Sequence, residues 1–220
     1  MLQSATASSA EEIGMGVKLY GMAGSPNMQG AMLGLAEKGV EYELVEVPPP
    51  FKTPELLARN PFGRVPVFEH DGFVLYETQA ILRYVDQVFD GRALQPTDAR
   101  ELARMNQMLG IIDCYLFQSW SGTIGLERLI APHFFGRPTD MAAVEAATPV
   151  AQCCADALEP LIAHPYLTGD TFSLADIRLL PHFNWLRQTP EGDSILAGKS
   201  RLGAWFERVR GRPAAQKLLA

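Results

Sequence analysis

The stretch NPFGRVPVFEHDGFVLYETQAILRYV, Asn60 to Val85, holds the features around which the rest of the chain is read. RVPVFE and FVLY are short apolar runs separated by HDG, and Asp71-Gly72 is a pair suited to the tight turn of a β-hairpin. Pro66 stands inside the first run, where it removes a ladder hydrogen bond, so it marks a sheet edge or a special backbone geometry. Residues 77–88 then carry Ile81, Leu82, Val85 and Val88 on one helical stripe. The spacing predicts an antiparallel strand pair running directly into a helix.

Upstream, VKLY (residues 17–20) reads as a short buried strand, and residues 26–38 as a helix with Met28, Met32, Leu35 and Ala36 at helical spacing and Gly39 as its stop. EYELVEV alternates well enough for a strand, PPPF interrupts, and TPELLARN makes a short helix with Thr53 and Pro54 as cap and first residue. The order is strand, helix, strand, helix, strand, strand, helix. Its first two strands are expected to be parallel with a right-handed crossover, which makes residues 17–88 a thioredoxin-like α/β layer.

Downstream, FDGRALQPTDAR is polar and turn-rich, and residues 89–98 read as a linker. Leu102, Met105, Leu109, Ile112 and Leu116 then recur at three and four, as do Val144, Ala147, Ala151, Cys154, Leu158 and Leu161, with Pro149 inside the second run. Two more helices are expected at about 173–188 and 194–210. Residues 99–220 are therefore expected to be all-helical. In TFSLAD, Ser173 and Asp176 form a capping-box pair with Phe172 and Ile177 as staple, a folding signal.

The 220 residues carry 25 acidic against 19 basic side chains, a net charge of -6, with no long basic run. That balance argues against nucleic acid and anionic membranes as partners. No stretch approaches eighteen uninterrupted apolar residues. Residues 1–16 are small, polar and acidic, unlike a secretory signal, and read as a flexible tail on a cytoplasmic protein. Cys114, Cys153 and Cys154 are expected to be buried free thiols. His70, His133, His164 and His182 are scattered without metal-ligand spacing, so no metal is expected, and no GxSxG elbow supports a hydrolase. His182, next to Pro181, reads as a packed or capping histidine.

Ser25 in KLYGMAGSPN precedes Pro26, so it stands as the N-cap of the first helix; its hydroxyl can cap, or it can face a bound molecule. Taken with NPFGRVPVFEHDGFVLYETQAILRYV and with LTGDTFSLADIRLLP (Leu167 to Pro181), this turn resembles the glutathione transferases, closest to their serine-type phi branch. The resemblance implies a thioredoxin-like N-terminal domain, an all-α C-terminal domain, glutathione as co-substrate and a homodimer acting in detoxification. It implies that the Val65–Pro66 bond is cis, with the Val65 main chain holding the cysteinyl part of glutathione as added extended chain. Glu77 and Thr78, at a helix start, would take the γ-glutamyl end, and Lys52 the glycyl carboxylate. Arg64, where the family often has Gln or Lys, keeps polar reach.

Under the same resemblance Ser25 is the catalytic residue. A thiol with a pKa of about 8.5 is little ionised at neutral pH. A donated hydroxyl hydrogen bond at a helix N-terminus favours the thiolate. The sequence departs from the family at Gly30, where an arginine is common, which weakens that activation. Cysteine is absent from the turn, which disfavours thiol–disulfide exchange. Met22, Ala23, Ile112, Tyr115, Leu116 and Ser119 are expected to wall a pocket for a small hydrophobic electrophile. Other activities of the scaffold stay open: isomerase, peroxidase, dehalogenase, or a non-catalytic glutathione-, hydrophobe- or protein-binding module.

Overall fold

The computed structural model describes residues 16–162 and 165–219; His164 and, apart from Gly16, the expected tail lie outside the described residues. Four strands, β1 (Val17–Gly21), β2 (Glu43–Glu46), β3 (Val67–His70) and β4 (Phe73–Tyr76), form one sheet in the order β2-β1-β3-β4. β1 and β2 are parallel across helix α1 (Pro26–Glu37), while β1–β3 and β3–β4 are antiparallel. Asp71 at φ 48 and Gly72 at φ 82 make the hairpin turn, whose two left-handed residues match the twist of the strands. Helix α2 (Pro54–Arg59) begins where Thr53 Oγ1 accepts the Leu56 amide at 3.3 Å. Helix α3 (Thr78–Val88) follows β4 directly.

Leu19, Phe68, Met28, Ala31, Leu35, Ile81 and Val85 form the core of this layer. α1 and α3 approach closely because position 34 is glycine: a Cβ there would lie 2.3 Å from Leu82 Cδ2. Val88, at the frayed end of the expected stripe, is exposed.

No strand follows β4 among the described residues. Helix α4 (Ala99–Ile111) continues into a wider, π-wound segment (Ile112–Ile130), then α5 (Ala131–Phe134), α6 (Met141–Leu158), α7 (Leu174–Leu186), α8 (Pro190–Ile195), α9 (Ser200–Arg210) and α10 (Pro213–Leu219). The helix expected at 194–210 is two helices. Thr189 Oγ1 accepts the Gly192 amide at 3.2 Å to start α8, and Gly198 at φ 74 separates it from α9. Trp120, Phe183, Trp205 and Phe206 pack in the second core with the Met105, Leu109, Ile112 and Leu116 stripe. Of the three thiols only Cys154 is buried, its pKa pushed up to about 11, chiefly by burial; Cys114 and Cys153 are exposed, contrary to expectation, on helix faces turned to water.

Residues 89–98 are pinned rather than loose. Leu94 is fully buried, its amide donates to Asp86 Oδ1 at 2.8 Å, and its carbonyl accepts the Leu174 amide at 3.0 Å. α1 packs against α7, and the Arg212 guanidinium holds Glu37 at 2.8 and 2.5 Å while lying over the Phe172 ring. These contacts set the β-bearing and helical parts on either side of a cleft.

Candidate active site

The cleft has a volume of about 690 Å³. Of the residues expected at the site from the sequence, Met22, Ser25, Arg64, Val65, Pro66, Glu77 and Thr78 line it.

Ser25 is the N-cap of α1, with φ -68 and ψ 131, and its carbonyl accepts the Gln29 amide at 2.8 Å. Its side chain makes no cap hydrogen bond, and Pro26 takes the first helical position, where no N–H is needed. Among the described residues the hydroxyl has no hydrogen-bond partner, and it stands at the positive end of a twelve-residue helix.

Val65–Pro66 is a cis bond, as is Pro49–Pro50. The β1–β3 and β3–β4 ladders begin at Val67, so the Val65 main chain lies beyond the paired sheet. Buried Asn60 shapes the approach: its Nδ2 donates to the Arg64 carbonyl at 2.8 Å and its Oδ1 accepts the Phe62 amide at 3.1 Å. Glu77, the N-cap of α3, is held at φ 72 and ψ 114, a region non-glycine residues rarely occupy, at a cost of about 1–3 kcal/mol. Glu77 and Thr78 both line the cleft, so the start of α3 borders it, and free first-turn amides of a helix are a seat for an anion.

The opposite wall comes from the π-wound segment and α7. Asp113, Phe117, Gln118, Ser121, Leu126, Arg178 and Trp185 contribute, and Phe134 and Phe135 rim the mouth. Phe51 lines it from the sheet side, so the cleft mixes aromatic faces with at least as many polar side chains. Gly125 lets Trp185 in, since a Cβ there would lie 2.7 Å from its ring. Arg178 is nearly buried. Its Nε donates to Asp113 Oδ1 at 3.1 Å and its Nη1 to Asn27 Oδ1 at 3.1 Å. A Cβ on Gly30 would lie 3.6 Å from that Nη1, so a guanidinium stands beside the position that lacks the family's arginine, delivered from α7.

Residues 15–87 match the family model described as "Glutathione S-transferase, N-terminal domain", and residues 141–208 match "Glutathione S-transferase, C-terminal domain". The chain is 34% identical over 212 residues to glutathione S-transferase 3 of Zea mays, covering 93% of each chain. It is 32% identical over 211 residues to the probable glutathione S-transferase GSTF1 of Oryza sativa subsp. japonica, covering 93% of this chain and 95% of that protein. The chain belongs to the glutathione S-transferase family. Within it the sequence is phi-like. Its fold superposes on glutathione transferase F7 from Populus trichocarpa with a TM-score of 0.82 at 28% identity, covering 92% of this chain and 97% of that one. The bacterial β-etherase LigF of Sphingobium sp. strain SYK-6 gives 0.80 at 25% identity, covering 93% and 99%.

For this glutathione S-transferase family member the expected electrophile wall needs correction. Ile112 and Leu116 are fully buried in the helical core, and Ser119 turns its hydroxyl back to the Tyr115 carbonyl at 3.1 Å. Tyr115 points outward, 60% exposed, and Ala23 lies outside the cleft. The apolar stripe read from the sequence is the core face. The cleft face lies one residue further round the same helix, at Asp113, Phe117 and Ser121. Asn60, Phe117, Arg178 and Trp185 were not found from the sequence; only that one-residue offset from the apolar stripe signals the first helix's share. Lys52 is exposed and does not line the cleft, although it follows Phe51, which does.

Glu127, nearly buried, secures the segment behind the aromatic rim. It accepts from Arg137 Nη1 at 2.7 Å and Nη2 at 2.6 Å and from the Asp140 amide at 3.0 Å. The Arg137 hydrogen bonds hold its carboxyl below the usual glutamate range. Glu127→Ala is expected to speed amide exchange across residues 135–140 roughly tenfold while α7 exchanges as before, measured by hydrogen-exchange mass spectrometry. Unchanged exchange would mean that the rim is held by other contacts.

Among the described residues no group of three or more His, Cys, Asp or Glu side chains is placed to hold a metal ion. None of their helices is long and apolar enough to cross a membrane.

Proposed function

We propose that the protein is a glutathione transferase in which the Ser25 hydroxyl stabilises the glutathione thiolate for attack on small hydrophobic electrophiles. One observation carries this reading: a serine hydroxyl with no cap hydrogen bond, at a helix N-terminus, shares a cleft with the cis-Pro66 turn ahead of β3, the Glu77–Thr78 helix start and several aromatic rings. The Val65 main chain pairs with the cysteinyl unit, and Arg64 and Thr78 meet the carboxylates. Glu77 offsets the γ-glutamyl ammonium. The thiol proton leaves to solvent, Ser25 donates to the sulfur anion, and a C–S bond forms as the electrophile's leaving group departs or its π bond opens. Holding both reactants in one cleft supplies much of the rate. Arg178, paired with Asp113, brings a guanidinium to the Gly30 side of the cleft and is assigned a share of the role of the family's missing arginine.

We extend the reading to a cytoplasmic homodimer serving detoxification, with residues 17–88 binding glutathione, 99–220 facing the electrophile and 89–98 joining them. The exposed Phe62 and Phe73 rings on the N-terminal part support an interface between copies, to be tested by light scattering at micromolar concentration.

Titrating glutathione while following thiolate absorbance tests the reading; binding with no thiolate band near neutral pH would overturn it. Lys52, next to the cleft-lining Phe51, is assigned a long-range attraction for the glycyl carboxylate. Lys52→Ala is expected to raise KM for glutathione about threefold with kcat nearly unchanged, since an exposed charge contributes at most about 1 kcal/mol. A fall confined to kcat would remove Lys52 from this role.

A further inference from the structure

Ser121 lies in the cleft on the π-wound segment, almost wholly buried, and has no part in the thiolate chemistry above. Its Oγ is 2.7 Å from Nδ1 of His182, an imidazole buried completely inside α7. The other ring nitrogen, Nε2, is 3.1 Å from Arg178 Nη1. Arg178 is fixed in turn by Asp113 and Asn27.

The order serine, histidine, arginine, aspartate resembles a nucleophile relay, but the chemistry runs the other way. A guanidinium has donors only. Nε2 must therefore offer its lone pair, and the imidazole's single proton sits on Nδ1, donating to Ser121 Oγ. His182 has no free lone pair with which to take the serine proton. A second proton would create an imidazolium against a guanidinium in a site shut off from water. Burial first, and Arg178 second, hold the His182 pKa well below its ordinary value. Ser121 is consequently an acceptor toward His182, with its own O–H directed elsewhere. Among the described residues no hydrogen bond from that O–H to the protein is formed, although neighbouring Ser119 spends its own on backbone carbonyls.

We propose that Ser121 is a second hydrogen-bond donor in the cleft, which polarises an acceptor oxygen on the electrophile. The substrate class is then aryl-bearing electrophiles whose reacting group carries such an oxygen, namely enones and epoxides. The aryl part packs on Phe117, Trp185 and the Phe134–Phe135 rim. His182 and Arg178 are positioning residues that hold the serine rotor. This rests on the glutathione-transfer reading. With an enone, the thiolate pair forms the C–S bond at the β carbon while the alkene π pair shifts, leaving an enolate whose oxygen gains charge. Ser121 donates to that oxygen without releasing its proton, and water later protonates the α carbon. A preorganised donor of this kind acts on charge that develops in the transition state.

The test compares 4-phenyl-3-buten-2-one, which carries the oxygen, with benzyl chloride, which does not. Ser121→Ala is expected to lower kcat/KM for the enone by roughly 10²-fold and for benzyl chloride by less than about twofold. His182→Ala is expected to show the same selective loss, and the double variant to be no worse than either single one. Equal losses on both substrates, or none on either, would overturn the proposal. A second measurement needs neither glutathione nor turnover. The carbonyl stretch of bound acetophenone is expected at lower frequency in the native protein than in Ser121→Ala; identical frequencies would overturn it. If the native protein conjugates neither substrate, the transfer reading falls, while the infrared shift still decides Ser121.

Discussion

Ser25→Ala is expected to cut kcat/KM for glutathione conjugation roughly 25-fold at pH 7, approaching a hundredfold near pH 5.5, with the difference closing above pH 9. The magnitude follows from ionisation. A free thiol with a pKa of about 8.5 is only a few per cent anion at pH 7; lowering it by about two units makes most of it thiolate. That shift needs roughly 3 kcal/mol, the size of one charge-assisted hydrogen bond together with a helix N-terminus. The sign is equally definite. A depressed pKa favours the anion throughout the range between the two values, so the variant's rate profile moves to higher pH. Loss of an N-cap side chain usually costs about 1 kcal/mol, but the Ser25 hydroxyl makes no cap hydrogen bond. The melting temperature is therefore expected to stay within about 2 °C of the native value. A superimposable pH–rate profile would remove Ser25 from catalysis; a large drop in melting temperature would make it a cap after all.

Asp176→Ala is expected to destabilise the fold by about 3–5 kcal/mol, lowering the melting temperature by roughly 10 °C. Its carboxylate is fully buried and receives four hydrogen bonds. Two come from the Ser173 amide (2.8 Å) and hydroxyl (2.9 Å), one from the Leu167 amide (3.0 Å) and one from Trp205 Nε1 (2.7 Å). Burial pushes its pKa up, while these donors pull it down. Deleting it strands four donors, two on the N-cap Ser173 and two on Leu167 and Trp205, away from the cap. Asp176→Asn is expected to recover only part of the loss, because its amide NH₂ confronts donors where the carboxylate accepted them. Calorimetric melting of both variants checks this, and a fall of less than about 3 °C in Asp176→Ala would show that the helix start alone was at stake.

Asp176 also marks the boundary between local and distant information. TFSLAD announces a capping box, because Ser173 and Asp176 are three residues apart on one turn. Nothing in that stretch announces Trp205, 29 residues away. The cleft divides in the same manner. Ser25 before Pro26, Pro66 inside a strand and Glu77-Thr78 after a hairpin are short patterns whose backbone consequences are felt within a few residues. They led to one side of the cleft. The other side depends on the rotation of the Ile112–Ile130 segment about its own axis. The apolar stripe at Ile112 and Leu116 led to the core face, one residue away from the face that meets the cleft.

From the sequence alone came the element order, the turn at Asp71-Gly72, the serine at the head of α1 and the proline that interrupts the chain ahead of β3, because torsional preference and hydrophobic period are written into neighbouring residues. Only the tertiary structure decided that Arg178 stands beside Gly30 and that His182 orients Ser121. Those contacts join side chains 151 positions apart for Asn27 with Arg178 and 61 apart for Ser121 with His182. Their partners are chosen by how α7 packs on α1 and on the π-wound segment, and packing of that kind leaves no periodic trace in the chain.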